Sequence, residues 1–158
     1  MMTREEDVTW MRLALREATL ALEHDDVPIG AIAVLDGRVI GRGHNRREID
    51  RDPSAHAEMI ALREAAAAIR HWRLDGVTLY STLEPCTMCA GAMVLARLPR
   101  LVYATSDPKA GASGSVMDVL NHPRLNHHVS VEGGLLADEA AALLVDFFGS
   151  LRASGQRH

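Results

Sequence analysis

The chain has 158 residues, of which 47% are hydrophobic and 24% charged, with a formal net charge of −4 at pH 7. This size fits one domain, residues 1–158, whose core needs no disulfide staple. The acidic balance argues against nonspecific coating of nucleic acid, which requires many lysines and arginines. No stretch is apolar enough to cross a bilayer, and the first ten residues lack the pattern of a secretory leader. We therefore expect a cytoplasmic protein with no membrane partner.

The first half of the chain predicts a helix, a β-hairpin and a second helix. Asp36-Gly37 lies between two apolar runs, and this dipeptide is a strong signal for a tight hairpin turn. An alanine-rich stretch later in this half favours a helix. In order, the predicted elements are a helix over 7–23, strands over 28–35 and 38–43, a polar loop over 44–54 and a helix over 56–70.

The second half alternates strands with helices. Pro85 suits the first turn of a helix, because its missing N–H would lack a partner there in any case. A run rich in Gly, Ser, Ala and Asp predicts a loop. The predicted elements are strands over 77–83, 101–105 and 128–132, helices over 85–97, 116–120 and 137–152, and a loop over 106–115.

This order of elements predicts the fold class. Because helices and strands alternate after the opening hairpin, helices should cover both faces of a sheet with parallel members. The five predicted strands give an α/β fold, a three-layer α/β/α arrangement with a five-stranded mixed sheet.

The last helix carries Phe147 and Phe148 side by side. Only one of two adjacent helical residues can point fully into the core. Core packing is expected for at least one ring, and the other is exposed, at an interface or stacked on a base.

A C-x-x-C motif points to metal or redox chemistry. Cys86 and Cys89 are the only cysteines, so a disulfide framework is excluded and the pair is a metal clip or a redox couple. Three residues apart at a helix start, they share one face where the helix dipole favours thiolates. With His56 as third ligand they predict a zinc site with one open position for water. Zinc would lower the pKa of that water toward neutrality, giving hydroxide as the nucleophile.

Glu58 follows His56 by two residues at a predicted helix start. In mid-helix the two side chains would diverge by roughly 200°, but in the first turn they can flank one pocket. Glu58 is therefore expected to be the proton shuttle, carrying a proton from the water to the ring nitrogen and the leaving amine of a base.

The C-x-x-C motif alone also fits a thioredoxin-like redox pair. A closed structural zinc site would need a fourth ligand, but His44, His71 and His122 lack ligand spacing. A redox protein has no use for His56 and Glu58. The combination of H-x-E with P-C-x-x-C about thirty residues later is typical of zinc-dependent nucleobase deaminases.

On these motifs the chain resembles the bacterial tRNA-specific adenosine deaminases of the cytidine deaminase-like superfamily, over about residues 10–152. Segments 27–31, 43–46, 52–58 and 82–92 carry the strongest resemblance. Deaminases of free bases share the metal motifs, so those motifs alone leave the substrate open. The loop at 107–115, the segment at 125–128 and the helix end at 146–152 resemble parts that distinguish the tRNA enzymes.

The resemblance implies a cytidine deaminase-like fold and hydrolysis of the wobble adenosine of an arginine tRNA to inosine. It also implies a homodimer with one zinc ion per subunit and an anticodon stem-loop as partner. By matching position, Asn45 hydrogen-bonds the target base and Arg152 reaches phosphate. The implied pocket walls are Val27, Pro28, Ile29 and Ala57, and the implied contacts to the anticodon loop are Asp107, Lys109 and Asn126.

Two competing functions stay open from the sequence. A deaminase of free guanine or cytosine would need neither Lys109 nor the arginine cluster that precedes the H-x-E motif. A zinc-stabilised RNA-binding or redox module would not need Glu58. The cluster is typical of a solvated loop and also suits a local RNA contact. Its members are Arg42, Arg46, Arg47 and Arg51.

Overall fold

The structure is a computed structural model that describes residues 3–155. Its elements alternate as expected, with one short 3₁₀ helix at Ala21–His24. In chain order they are α1 (Arg4–Leu20), β1 (Gly30–Leu35), β2 (Arg38–His44), α2 (Ala57–Ile69), β3 (Thr78–Leu83), α3 (Thr87–Leu95), β4 (Arg100–Thr105), β5 (Ser130–Gly133) and α4 (Ala137–Ser154).

The five strands form one mixed sheet in the order β2-β1-β3-β4-β5. β1 is antiparallel to both β2 and β3, whereas β4 is parallel to β3 and β5. Asp36 and Gly37 have φ values of 50° and 74°, which suit the positive-φ positions of a tight hairpin turn. The predicted mixed sheet and its opening hairpin are confirmed.

Helices cover both faces of the sheet, which confirms the three-layer arrangement. α1 and α4 pack on one face and α2 and α3 on the other, so alternate residues of each strand face two separate cores. The core under α1 and α4 includes Met11, Ile32, Tyr80 and Val102. The core under α2 and α3 includes Leu62, Leu79, Met93 and Leu101.

Two of the differences from the sequence predictions have a clear physical reason. α1 starts at Arg4, earlier than expected, because Thr3 and Glu6 form a capping box at its N-terminus. The predicted helix over 116–120 is wrong. The N–H of Gly114 donates to the carbonyl of Met117 at 2.9 Å, and Ser113 bridges Asp118, so hydrogen bonds close a turn here instead of a helix. So short a helix would be marginal in any case.

One edge of the sheet gathers the chemistry-bearing segments. β3 and β4 are parallel, so their carboxyl ends meet there, and the antiparallel β1 and β2 bring their Gly30 and His44 ends to the same edge. A Cβ atom at Gly43 would lie 2.3 Å from the carbonyl oxygen of Ala57. The bare glycine therefore lets the N-terminus of α2 lie directly on β2.

Across residues 3–155, none of the helices combines the length and the hydropathy that a bilayer crossing would require.

Candidate active site

His56 and Cys86 are the N-cap residues of α2 and α3, and the structure brings their side chains together with that of Cys89. Neither caps its own helix with a side-chain hydrogen bond to the described residues. The imidazole and the thiol point toward each other instead. The Nδ1 atom of His56 lies 3.5 Å from the Sγ atoms of both Cys86 and Cys89. Two helix N-termini thus deliver three ligand-type atoms to one point.

This donor set fits a zinc ion. Typical zinc distances are about 2.0–2.1 Å to imidazole nitrogen and about 2.3 Å to thiolate sulfur, so tetrahedral angles separate the two ligand atoms by about 3.5 Å. The observed Nδ1–Sγ distances match this separation. The three ligand atoms all lie within 4.8 Å of one another. One imidazole with two thiolates is also a usual ligand combination for zinc.

The site has three protein ligands rather than four. Within residues 3–155, no further His, Cys, Asp or Glu side chain joins the group of His56, Cys86 and Cys89. His44 contacts Glu17 at 3.5 Å, whereas His71 and His122 accept hydrogen bonds from nearby backbone N–H groups. A closed four-ligand zinc site is therefore not formed by the described residues, and a tetrahedral ion held by these three would have one open position, as in catalytic sites.

The electrostatics of the site suit metal binding and proton transfer. Hydrogen bonding from Cys89, then from His56, lowers the pKa of Cys86 to about 3, so its sulfur is a thiolate at neutral pH. Burial raises the pKa of Glu58 to about 7, because its side chain is only 4% exposed. A carboxyl group that titrates near neutrality can both accept and donate a proton.

A cavity of about 630 Å³ opens above these residues. Most of the residues predicted for the site line it: Val27, Ile29, Asn45, His56, Ala57, Glu58, Cys86, Asp107 and Lys109. Cys89 is buried beneath the cavity and Pro28 is buried outside its lining. Asn126 is exposed and also lies outside the lining.

Asn45 is held rigidly in the cavity wall. Its backbone N–H donates to the carbonyl of Ile29 at 3.0 Å, and its side-chain Nδ2 donates to the carbonyl of Val27 at 3.3 Å. Its Oδ1 accepts the N–H of Arg47 at 3.1 Å. An amide has two N–H donors and two oxygen lone pairs, so Asn45 keeps hydrogen-bonding capacity for a ligand.

Sequence reasoning assigned no role to Glu84. In the structure this residue organises the loop that follows β4. It is 1% exposed, and its carboxylate accepts backbone N–H groups from Asp107 at 3.0 Å, Ser113 at 2.9 Å and Ser115 at 3.2 Å. The Ser115 hydroxyl donates to it as well. Burial raises the pKa of Glu84, but these hydrogen bonds outweigh burial and leave it below its ordinary value. The buried anion therefore fixes the loop that carries Asp107 and Lys109.

A groove adjoins the cavity along α4. Lys109, Leu144, Val145 and Phe148 line both, and Arg152 lines the groove alone. Phe148 is 38% exposed, and its ring meets that of Phe147 edge to face at 5.3 Å. Neither ring is buried, so the prediction that at least one packs in the core is wrong. Phe148 instead presents an aromatic face at the rim.

Known proteins are similar to this chain in sequence. The family model for MafB19-like deaminases matches residues 5–152. The tRNA-specific adenosine deaminase of Bacillus subtilis is 47% identical over 93% of this chain and 91% of its own length. The enzyme with the same name from Aquifex aeolicus is 45% identical over 90% of this chain and 94% of its own length.

Solved structures of deaminases are similar to this chain in fold. A structure from work on A-to-I editing by tRNA:A34 deaminases at the wobble position matches with a TM-score of 0.83 and 48% identity, over 86% of this chain and 99% of that chain. A guanine deaminase from Nitrosomonas europaea matches with a TM-score of 0.75 and 29% identity, over 90% and 84% respectively. The fold is thus shared by deaminases of different substrates.

Proposed function

Because the chain belongs to the MafB19-like deaminase family, and within it to the tRNA-specific adenosine deaminases, we propose that it converts the wobble adenosine of an arginine tRNA anticodon to inosine. In this reaction water replaces the 6-amino group, which leaves as ammonia. The observation that carries the proposal is the group of His56, Cys86 and Cys89, which could hold a metal ion, beside the buried carboxyl of Glu58 at one cavity. Residues 1–158 act as one deaminase domain.

The metal site would take one zinc ion per subunit. His56, Cys86 and Cys89 would hold it, and the separation of their ligand atoms supports this choice. When bound, zinc supplies the Lewis acidity that makes a water molecule nucleophilic near neutral pH. Thiolate ligands persist in a reducing compartment, so the cytoplasm is the proposed location.

Glu58 is the proposed proton shuttle. Its carboxyl group lines the cavity in the first turn of α2, two residues after His56. It takes one proton from the attacking water and passes it to the ring nitrogen of the base. It then takes the second proton from the hydroxyl group added at C6 and passes it to the amine, which leaves as ammonia while the carbonyl of inosine forms. Its pKa of about 7 fits both directions of transfer near neutral pH.

The rest of the cavity binds the base. Asn45 hydrogen-bonds the adenine edge with its remaining amide capacity, while Val27, Ile29 and Ala57 contact its faces. Pro28, which is buried between Val27 and Ile29 in the chain, is proposed to support this wall. An anticodon base is already unpaired, so extruding it into a pocket requires little energy.

The groove along α4 is proposed to hold the neighbouring nucleotides. Phe148 offers an aromatic face for base stacking, and Lys109 and Arg152 offer positive charge to phosphates. Asp107 lines the cavity and is proposed to contact the anticodon loop there. Asn126, exposed and outside the lining, is proposed to contact a more distant part of the anticodon loop.

Exposed apolar side chains support a homodimer. Leu95 at the end of α3 is 72% exposed, and Val116 and Met117 are also exposed. A Cβ atom added to Gly91 of α3 would meet nothing within 4 Å. Apolar surface of this kind is typical of association sites, so α3 and the 116–117 segment are the proposed contact region.

A free-base deaminase is the second candidate, favoured by the likeness to the guanine deaminase. A direct test incubates the zinc-loaded protein with an arginine anticodon stem-loop carrying a wobble adenosine and, separately, with adenosine, guanine and cytosine. Inosine in the stem-loop without ammonia from the free compounds supports the tRNA substrate. Ammonia from guanine or cytosine, with unchanged RNA, would show that the substrate is a free base and not tRNA.

Metal dependence needs its own measurement. Cys86→Ser removes one of three ligands, so zinc content per subunit and turnover should fall together. A variant that keeps one zinc ion per subunit would contradict the proposed ligand set.

A further inference from the structure

The arginine cluster is not uniform, because two of its four charges, those of Arg42 and Arg46, lie beside carboxylates. Arg46 makes a two-point pair with Asp50, with Nε–Oδ2 and Nη2–Oδ1 distances of 3.0 Å each. Arg42 approaches Glu17 at 3.8 Å. The Arg47 guanidinium, in contrast, makes no ion pair or hydrogen bond with any residue from 3 to 155.

Arg47 is also the member of the cluster that lines the reaction cavity, together with Asn45 and His56. It is half-buried, so part of its hydration is lost without any carboxylate to replace it. An unpaired charge in such a place is unfavourable unless a ligand supplies the missing anion. The position therefore favours an anionic group that enters the cavity with the substrate.

The backbone around Arg47 is fixed. Its N–H donates to the side chain of Asn45 at 3.1 Å, which ties it to the proposed base-binding residue. The next two backbone N–H groups, of Glu48 and Ile49, donate to the fully buried carboxylate of Asp26 at 2.7 Å and 3.2 Å. The Arg47 side chain thus projects from a preorganised loop, as a specific contact requires.

We propose that Arg47 binds a phosphodiester of the RNA next to the nucleotide in the cavity, an inference that rests on the proposed function. A guanidinium presents parallel N–H donors that match two phosphate oxygens. This contact is separate from the groove of Lys109 and Arg152, which does not include Arg47. Arg46, held by Asp50, takes no part in it.

The test compares Arg47→Ala with Arg46→Ala, its neighbour in sequence and its match in charge. Equilibrium binding of the arginine anticodon stem-loop is measured against KCl concentration, beside KM for inosine formation. Arg47→Ala should weaken binding about tenfold and reduce the slope of log affinity against log salt by about 0.7–1. Arg46→Ala should change affinity by less than about twofold. Arg47→Lys keeps the charge but loses the parallel N–H donors of the guanidinium, so its affinity should lie between those of the wild type and Arg47→Ala.

Zinc content and thermal unfolding of each variant check that the fold is intact, and Arg47→Lys carries the test if Arg47→Ala is unstable. Wild-type affinity and slope in both Arg47 variants would overturn the inference, as would an equal loss in Arg46→Ala. Binding is measured apart from turnover, so a failure of the proposed function can be told from a failure of this inference. If the wild-type protein binds the stem-loop but forms no inosine, only the proposed function fails. A wild-type protein that does not bind the stem-loop overturns both.

Discussion

The backbone N–H of Asp107 donates a 3.0 Å hydrogen bond to the carboxylate of Glu84. This contact joins the loop after β4 to the segment that leads into Cys86. Further donors from Ser113 and Ser115 converge on the same carboxylate. One buried anion therefore sets the distance between the metal site and the wall that carries Lys109.

Glu84→Gln should loosen this wall, because an amide places N–H groups against backbone N–H donors. We expect KM for the anticodon stem-loop to rise more than kcat falls, and the free energy of unfolding to drop by about 2 kcal/mol. Steady-state kinetics and urea unfolding at equal zinc content measure both. Ser115→Ala, which removes only a hydroxyl donor, should have a smaller effect on each. A lower kcat at unchanged KM would show that Glu84 does not act through the loop.

Gly111 tests the same contact from the loop side. A Cβ atom there would lie 2.4 Å from the Glu84 carboxyl carbon, so Gly111→Ala must displace the loop or the carboxylate. We expect a lower melting temperature and weaker binding of the stem-loop. Gly149→Ala is the matched control, since a Cβ atom at this helical position meets nothing within 4 Å and should leave stability unchanged or slightly raised. Equal behaviour of the two variants would rule out the close packing at Gly111.

Asp7 anchors α1 to the opposite edge of the sheet. Its carboxylate pairs with both terminal nitrogens of Arg100, at 2.9 Å and 2.7 Å, and accepts the Tyr80 hydroxyl. The hydrogen bonds from Arg100 hold the pKa of Asp7 below its ordinary value of 3.8. The ionised carboxylate therefore stabilises the fold above the unfolded-state pKa, and this contribution is lost as the pH falls through the lower, folded-state pKa.

We expect Asp7→Asn to lower the free energy of unfolding by about 3 kcal/mol at pH 7 and to weaken the loss of stability below about pH 4. Urea unfolding at pH 7 and pH 3 measures both. Glu139→Gln breaks only a half-exposed pair with Arg12 and should change stability little. The role of Asp7 is contradicted if stability falls as steeply with acid in Asp7→Asn as in the wild type.

Features with local signals could be predicted from the sequence. Asp36-Gly37 specifies its turn through backbone preferences of the two residues themselves, and the turn forms as expected. Nearby sequence predicts that His56 and Cys86 lie at helix starts, and both are N-cap residues in the structure. Because both helix starts lie at one sheet edge, their meeting follows from the topology.

Features that depend on distant partners could not be predicted. The hydrogen-bond donors to Glu84 lie 23 to 31 residues later in the chain, and no local sequence pattern predicts them. Arg46 and Arg47 look equivalent in the sequence, but only packing decides which one meets a carboxylate. The wrongly predicted helix over 116–120 has the same cause, since its backbone groups form hydrogen bonds with residues 111–114.

Phe148 provides a test of the groove. We expect Phe148→Ala to raise KM for the stem-loop about tenfold through lost base stacking, while the free energy of unfolding changes by less than about 1 kcal/mol because the ring is exposed. Trp72→Ala removes another exposed aromatic ring that does not line the cavity, so it should leave KM unchanged. Wild-type KM in Phe148→Ala would exclude stacking on this ring.

The most direct test of the account measures inosine formed in the arginine anticodon stem-loop by zinc-loaded wild-type protein and by Glu58→Gln, with zinc content determined for both. We predict inosine at the wobble position with the wild type and a rate about 10²- to 10⁴-fold lower with Glu58→Gln, because the proton shuttle is lost while the three metal ligands stay in place. Inosine formation by Glu58→Gln at the wild-type rate, with its zinc intact, would contradict the proposed chemistry.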